Sequence, residues 1–221
     1  MKACAGSIPV LSAIFILIIK LHKSILESHE VVMHSKGTFM KNFGIFTIPV
    51  YLLLSIWAVF LIDIIIPIKI NSFGIVPRDV NHLIGILSSP FLHANLFHLI
   101  SNSVPLFVLS SVMVFFYRKI SVWAIIHIAV LGGFMVWLFA RNGNHIGASG
   151  VIYGLAGFII AFGIFSKKVL PIIIAVIITF TYGFSMLSGM LPVRSYISWE
   201  GHLFGAIAGI IVAYALKNQD N

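Results

Sequence analysis

Residues 147–165 read GASGVIYGLAGFIIAFGIF, an apolar run that begins with small residues and carries no charge. Gly150, Gly154 and Gly157 recur at spacings of four and three residues, so they share one face of a helix. Residues 201–216 read GHLFGAIAGIIVAYAL, in which Gly205 and Gly209 are also four residues apart. Because small residues let two helices approach closely inside a membrane, the sequence predicts that these two segments pack against each other.

The composition of the 221-residue chain indicates a membrane protein. Hydrophobic residues make up 60% of it, charged residues only 9%, and the mean hydropathy is +1.08. Soluble domains carry about 25% charged residues. A membrane-spanning helix needs about 20 mainly apolar residues. The segments that meet this requirement are Ile45–Ile66, Leu92–Tyr117, Ile120–Ala140, Ala148–Phe165, Val169–Ser188 and Gly201–Leu216. The sequence therefore predicts an all-α, polytopic membrane protein, a bundle of six transmembrane helices.

The predicted membrane domain covers residues 41–217, followed by a short cytoplasmic tail, 218–221. Residues 1–40 form an amino-terminal cytoplasmic or interfacial extension, within which the apolar run 8–19 is short for a span. Three interpretations of this run are open: an interfacial or re-entrant helix, a dispensable extension before a start at Met33 or Met40, or a cleaved signal. The last is disfavoured because no small-residue cleavage site follows the run. Cys4 is the only cysteine, which excludes an intrachain disulfide.

The distribution of basic residues predicts the orientation, because cytoplasmic loops keep an excess of Lys and Arg. One side of the bundle collects Lys20, Lys23, Lys36, Lys41, Arg118, Lys119, Lys167, Lys168 and Lys217. The other side collects Lys69, Arg78, Arg141 and Arg194. Both termini are therefore predicted to be cytoplasmic, in a bacterial cytoplasmic (inner) membrane. The net charge of +8 reflects topology and attraction to the lipid bilayer, and no nucleic-acid partner is expected.

Several polar side chains fall within the predicted spans, near their external ends. Polar groups inside a membrane are costly, and their presence suggests a functional site. His98 and Asn102 are four residues apart and share a helix face. Ser149 lies in the first turn of the fourth span, with Tyr153 one turn further on the same face. His202 begins the sixth span. The two glycine-bearing faces can bring Ser149 and His202 together.

A serine and a histidine in this setting suggest nucleophilic catalysis. A serine hydroxyl needs a base, and neutral imidazole is suited to that task near pH 7. Glu200 is two residues from His202 and faces elsewhere on a helix, so a Ser149–His202 dyad is the expected arrangement. An oxyanion requires preorganised donors, for which the Ser149 N–H, His98 and Asn102 are the candidates. Gly147 and Gly150 let the backbone and a substrate come close.

These residues together resemble the rhomboid family of intramembrane serine proteases. The resemblance covers about Phe73 to Ala215. The motifs that carry it are Gly74-Ile-Val-Pro-Arg78, Ser89-Pro-Phe-Leu-His93, His93-x4-His98-x3-Asn102, Gly147-Ala-Ser149-Gly150 with Tyr153, and Trp199-Glu-Gly-His202-x2-Gly205-x3-Gly209. The resemblance implies that Ser149 is the nucleophile and His202 the general base, with His98, Asn102 and the Ser149 N–H as the oxyanion hole. It also implies single-span transmembrane proteins as substrates, and a first loop, Pro67–Pro90, that dips into the outer leaflet with Arg78 as a headgroup anchor.

Each assignment has a structural alternative. Ser149 and Gly150 can serve helix packing, Tyr153 can be a core residue, and His93 is expected nearer the surface as a headgroup anchor. His145 is expected to be a solvated loop residue, and Trp199 and Glu200 to be interfacial residues without a role. A metal site is not expected, because the histidine pair lacks carboxylate or cysteine companions. No cofactor is implied.

Two other classes of protein remain as alternatives. A catalytically inactive rhomboid-like protein would bind membrane clients, although such proteins usually lack the serine and histidine found here. A small transporter would need paired ionisable groups in mid-span or inverted repeats, and neither is present. The segment Gly189–Ser198 is the candidate lid over the site. The oligomeric state is left open by the sequence.

Overall fold

The computed structural model describes residues 46–192 and 198–219. This part of the chain contains six helices that are long and apolar enough to cross a membrane. They are α1 (Thr47–Ile65), α2 (Leu96–Phe116), α3 (Ser121–Phe139), α4 (Ser149–Ser166), α5 (Val169–Gly189) and α6 (Trp199–Leu216). The prediction of an all-α, six-helix membrane bundle is confirmed. The extension 1–40, with its apolar run 8–19, lies outside the described residues.

The second span begins four residues later than the sequence predicted. The side chain of Asn95 accepts a hydrogen bond of 2.9 Å from the backbone N–H of His98, and so caps the first turn of α2. Asn is among the residues that best satisfy the free N–H groups at a helix start. The three residues before it, Leu92–Ala94, therefore belong to the loop, and His98 lies in the first turn of the helix.

Helices α4 and α6 share the most extensive contact in the bundle, as the glycine pattern predicted. A Cβ atom added to Gly205 would collide with the carbonyl oxygen of Gly150, and one added to Gly209 would collide with that of Gly154. Only glycine fits at these two positions of α6. The close approach starts at the first turn of both helices, so the residues that begin them are held near each other.

The helices differ in how much of their surface the protein covers. In α4, 61% of the span is buried, against 17% in α1 and 28% in α5. On α5, the side chains of Phe180 and Phe184 are 86% and 87% exposed. In a bilayer such apolar surface faces lipid tails, which are as apolar as the side chains themselves. Helix α4 is therefore the centre of the bundle, and α1 and α5 lie at its periphery.

The long loop between α1 and α2 is built from short helical turns, Ile70–Phe73, Val80–His82, Gly85–Ser88 and Ser89–Phe91. Arg78 is exposed, and its proposed contact with lipid headgroups stays a prediction. Its guanidinium also donates hydrogen bonds to the carbonyl oxygen of Ala140, at 2.8 Å, and to the side-chain oxygen of Asn142, at 2.5 Å. Basic side chains commonly satisfy the last carbonyls of a helix, and here Arg78 fastens the loop to the end of α3.

Candidate functional site

A cavity of about 730 Å³ lies at the end of the bundle where α4 and α6 begin. Residues from four helices line it. They include His98 and Asn102 of α2, Ser149 and Tyr153 of α4, Tyr182 and Met186 of α5, and His202 of α6. The structure thus brings to one cavity the two side chains of the predicted dyad, the two of the predicted oxyanion hole and Tyr153, while His93, also expected as a supporting residue, does not line it.

Ser149 is the first residue of α4, and the loop before it is tightly packed. Gly147 has a φ of +118°, a backbone conformation that favours glycine. Its N–H donates to the carbonyl oxygen of Ser89 at 2.9 Å, and a Cβ atom added to it would lie 2.7 Å from the imidazole of His98. Gly147 therefore makes room for the ring of His98 beside Ser149. Its expected close approach to a substrate stays a prediction.

The backbone N–H of Ser149 belongs to the first turn of α4, where N–H groups have no partner within the helix. Among the described residues, no hydrogen bond to the Ser149 hydroxyl is formed. Catalytic hydrogen bonds are often long in structures without substrate and tighten in its presence. Both the hydroxyl and the N–H are therefore available to a molecule in the cavity.

His202 is 92% buried and is held on two sides. Its Nδ1 lies 2.8 Å from the carbonyl oxygen of Gly189, which can only accept, so Nδ1 carries the proton. Its ring is stacked on that of Tyr153, with centroids 4.1 Å apart and planes inclined by 6°. These contacts leave the Nε2 lone pair of the neutral imidazole free. In the described residues no carboxylate bonds to His202.

Gly189, the last residue of α5, was considered only as the start of a candidate lid. A Cβ atom here would collide with the hydroxyl of Tyr153 and lie 3.2 Å from Nδ1 of His202. The absence of a side chain thus allows both the stack and the hydrogen bond. No sequence motif marks this role, because the partner of His202 is a backbone carbonyl. Of the proposed lid, residues 193–197 lie outside the described part of the chain.

His98 and Asn102 lie one turn apart on α2, and both line the cavity. Asn102 is 95% buried. Its side-chain nitrogen has no hydrogen-bond partner in the part of the chain that the structure describes. Buried donors are nearly always paired, so an unpaired amide at a cavity is a donor suited to a bound group.

His93 was expected near the surface, but the structure buries 99% of it. The short turn Ser89–Phe91 carries it beneath the loop, where its Nδ1 lies 3.3 Å from the carbonyl oxygen of Phe91. Its ring meets that of His98 edge to face, with centroids 5.0 Å apart. Burial, with a smaller contribution from His98, lowers the pKa of His93 to about 4. A neutral His93 therefore supports His98 from behind.

His145 is also not the solvated residue that was expected, since it is 93% buried. Its backbone pairs with Ile75 through two hydrogen bonds, which draws the loop before α4 against the first loop. Its Nε2 lies 2.9 Å from the carbonyl oxygen of Arg141, and its Nδ1 lies 2.6 Å from the hydroxyl of Ser198. His145 therefore connects the loop before Ser149 to the start of α6.

Glu200 was expected to be an interfacial residue without a role. It is 97% buried, and its Oε1 forms an ion pair of 3.2 Å with Nε of Arg141. Among the described residues, its ion-pair and hydrogen-bond partner is Arg141 and not His202. A carboxylate in the first turn of an apolar helix is a sequence signal that could have indicated a buried partner, because such a group is rarely buried unpaired.

Within residues 46–192 and 198–219, no group of three or more His, Cys, Asp or Glu side chains is placed to hold a metal ion. The histidines of the site instead have carbonyl, hydroxyl and aromatic partners. The polar side chains that line the cavity include hydroxyl, imidazole and amide groups.

Comparison with known proteins adds a family match. A family model described as Rhomboid domain matches residues 80–219. An uncharacterized protein of Mycobacterium tuberculosis is 39% identical over 171 residues, which are 73% of this chain and 71% of that protein. An uncharacterized protein of Mycobacterium bovis matches equally well, and one of Mycobacterium leprae is 35% identical with 67% of its length covered. The matched region contains α2 to α6 and every residue of the cavity named above.

Proposed function

The chain belongs to the rhomboid family, and from this premise we propose that it is an intramembrane serine endopeptidase. Its substrates are single-span membrane proteins, cut in or near their transmembrane segments. The observation that carries the proposal is the state of His202. Its Nδ1–H is committed to Gly189, its ring is held flat against Tyr153, and its Nε2 is left as a base in the cavity of Ser149.

In the proposed reaction, Nε2 of His202 takes the proton of the Ser149 hydroxyl as the serine oxygen attacks the scissile carbonyl carbon. The tetrahedral intermediate collapses as the C–N bond breaks, and the imidazolium gives its proton to the leaving amine. Water, deprotonated by the same imidazole, then hydrolyses the acyl-serine ester and restores both side chains. No carboxylate is required, because Gly189 and Tyr153 orient the imidazole.

The negative charge that develops on the substrate oxygen would be stabilised by three donors. They are the backbone N–H of Ser149 at the start of α4, the unpaired side-chain nitrogen of Asn102, and the imidazole of His98. The amino-terminal end of a helix also favours negative charge. Donors fixed in advance in a site of low polarity contribute most to this kind of catalysis.

A substrate helix would enter the cavity between α2 and α5. Phe97 and Pro105 of α2 line one side of the cavity, and Tyr182 and Met186 of α5 line the other. A helical substrate has its carbonyls already hydrogen-bonded, so it must unwind locally before Ser149 can attack. We therefore expect helix-weakening Gly, Pro or Ser residues near the cut and a small residue before it.

The protein is an integral membrane protein by its six apolar helices. For its orientation we propose cytoplasmic termini and a cavity that opens to the external side of a bacterial cytoplasmic membrane. The basic pairs Arg118–Lys119 and Lys167–Lys168 follow the ends of α2 and α4 that are opposite to the cavity. Such pairs are typical of the cytoplasmic side.

The direct test is labelling of the purified protein in detergent with a fluorescent fluorophosphonate. Wild type should label, and Ser149→Ala and His202→Ala should not. Ser55→Ala is the matched control, because the Ser55 hydroxyl donates to the Leu52 carbonyl within α1, away from the cavity. Folded wild type that does not label would instead support a client-binding protein without catalysis.

A further inference from the structure

Four polar residues connect the loop before α4 to the first turn of α6. Arg141 and His145 belong to the loop, and Ser198 and Glu200 belong to the start of α6. We call them the loop–α6 network. Two side-chain links form it, the Arg141–Glu200 ion pair of 3.2 Å and the His145–Ser198 hydrogen bond of 2.6 Å. From the sequence, Ser198 was expected only as the last residue of the candidate lid, and the other three were given no role in the site.

While His145 is neutral, each hydrogen bond of the network has only one possible donor and one possible acceptor. The Arg141 carbonyl has no proton, so Nε2–H of His145 must donate to it, and Nδ1 is left as an acceptor. Nδ1 then receives the hydroxyl proton of Ser198. The Ser198 oxygen in turn accepts from the backbone N–H of Gly201, at 3.3 Å, and so caps α6. The loop therefore fixes the cap of the helix that carries His202.

The ion pair ties the same two segments together by charge. Oε1 of Glu200 lies 3.2 Å from Nε of Arg141 and 3.4 Å from its backbone N–H. A carboxylate that is 97% buried requires such partners. Its position in the first turn of α6 also places its charge at the favourable end of the helix dipole. Separation of the loop from α6 would leave this charge buried without its guanidinium.

The network sits directly before both members of the dyad in the chain. Ser149 follows His145 by four residues, and His202 follows Glu200 by two. The ring of His202 is held by Gly189 and Tyr153, but neither residue holds the backbone of α6 against the loop. We propose that Arg141, His145, Ser198 and Glu200 are positioning residues that set the separation between Ser149 and His202. This inference rests on the proposed function.

The first test separates rate from binding. Glu200→Gln and His145→Gln should lower kcat for a membrane substrate by at least about tenfold, since a displacement of about 1 Å at reacting groups can slow a reaction about 100-fold. KM should stay within about twofold of wild type. The matched controls are Asp63→Asn and His82→Gln. Asp63, near the end of α1, accepts a hydrogen bond from the backbone N–H of Ile70, and His82 bonds to Asp79 within the first loop. A kcat equal to that of the controls would overturn the proposal, and so would a change in KM alone.

The second test uses the difference in exposure between the two side chains of the ion pair, which is 4% for Glu200 and 42% for Arg141. Arg141→Gln leaves a buried carboxylate without its guanidinium, so the fall in kcat should be large. Addition of Glu200→Gln removes that charge, and the double variant should regain at least about threefold in kcat over Arg141→Gln. Independent, multiplying effects of the two substitutions would show that the pair does not act as a unit.

The third test does not depend on activity. Hydrogen–deuterium exchange should be faster in both 141–149 and 198–205 for Glu200→Gln and His145→Gln than for wild type and the two controls. Exchange that is unchanged in either segment would overturn the proposal. Wild type that neither labels nor cleaves would remove the proposed function, while the exchange measurement would still decide whether the network holds the loop to α6.

Discussion

The imidazole of His202 and the phenol ring of Tyr153 lie parallel, with centroids 4.1 Å apart. Tyr153 is one turn from Ser149 on α4, while His202 lies in the first turn of α6. The stack therefore joins the two helices that carry the proposed dyad. It also fixes the plane of the imidazole, and the Gly189 carbonyl fixes its rotation within that plane.

Replacement of Tyr153 should separate the effect of its ring from that of its hydroxyl. Tyr153→Phe keeps the stacking surface and loses only a long hydrogen bond of 3.4 Å to the Ser185 carbonyl, so kcat should stay within about threefold of wild type. Tyr153→Ala removes the ring, and kcat should fall by about tenfold or more. The measurement is substrate cleavage in detergent or liposomes. Equal losses in the two variants would indicate that the hydroxyl, not the stack, matters.

Gly189→Ala should impair the site by steric contact. The new methyl group would collide with the Tyr153 hydroxyl and approach Nδ1 of His202 to 3.2 Å. Labelling of Ser149 by fluorophosphonate should slow by about tenfold or more. Tyr153→Phe in the same chain removes the atom struck most severely and should restore part of the rate.

The control for this pair is Gly183→Ala, also on α5, where an added Cβ would have only an ordinary contact of 3.5 Å with Thr179. This variant should label at the wild-type rate. If the double variant labels no faster than Gly189→Ala alone, the Tyr153 hydroxyl is not the group that the methyl displaces.

Asn102→Ala tests the proposed oxyanion hole. The unpaired amide nitrogen is expected to bind the substrate oxygen only once that oxygen becomes charged, so its loss should lower kcat by about 100-fold with little effect on KM. The matched control is Ser103→Ala on the same helix, whose hydroxyl contacts Trp57 of α1. A change confined to KM would assign Asn102 to ground-state binding.

The sequence predicts those parts of this molecule that depend on local pattern. Apolar runs predict the six helices, and the Gly150, Gly154, Gly205 and Gly209 spacing predicts the contact between α4 and α6. The family resemblance adds the expected roles of Ser149 and His202. Both kinds of inference use residues whose identity and spacing are visible in the sequence.

The sequence does not predict contacts in which the partner is a backbone group or a distant loop. The carbonyl of Gly189 has no signature, because any residue at that position would offer one. From the sequence, His145 looks exposed because it lies in a polar loop, and His93 because it comes at the outer end of the predicted second span. They are buried because the loop between α1 and α2 folds over both, through Ile75 and the turn Ser89–Phe91.

Protein stability should depend on pH through His93. Burial lowers its pKa from the ordinary 6.5 to about 4, so the folded protein keeps this ring neutral. Between pH 6.5 and about 4 the unfolded chain binds this proton and the folded chain does not, and the free energy of unfolding therefore falls as the pH is lowered through this window. Above pH 6.5 the contribution of His93 is complete.

The measurement for His93 is the midpoint of thermal unfolding in detergent at pH 7.5 and at pH 5. His93→Gln should be less stable than wild type at pH 7.5, because an amide fits the buried space beside His98 less well. Its midpoint should nevertheless fall less on acidification, because glutamine does not titrate. A fall equal to that of wild type would show that His93 is not held neutral beneath the loop, and its support of His98 would then need another explanation.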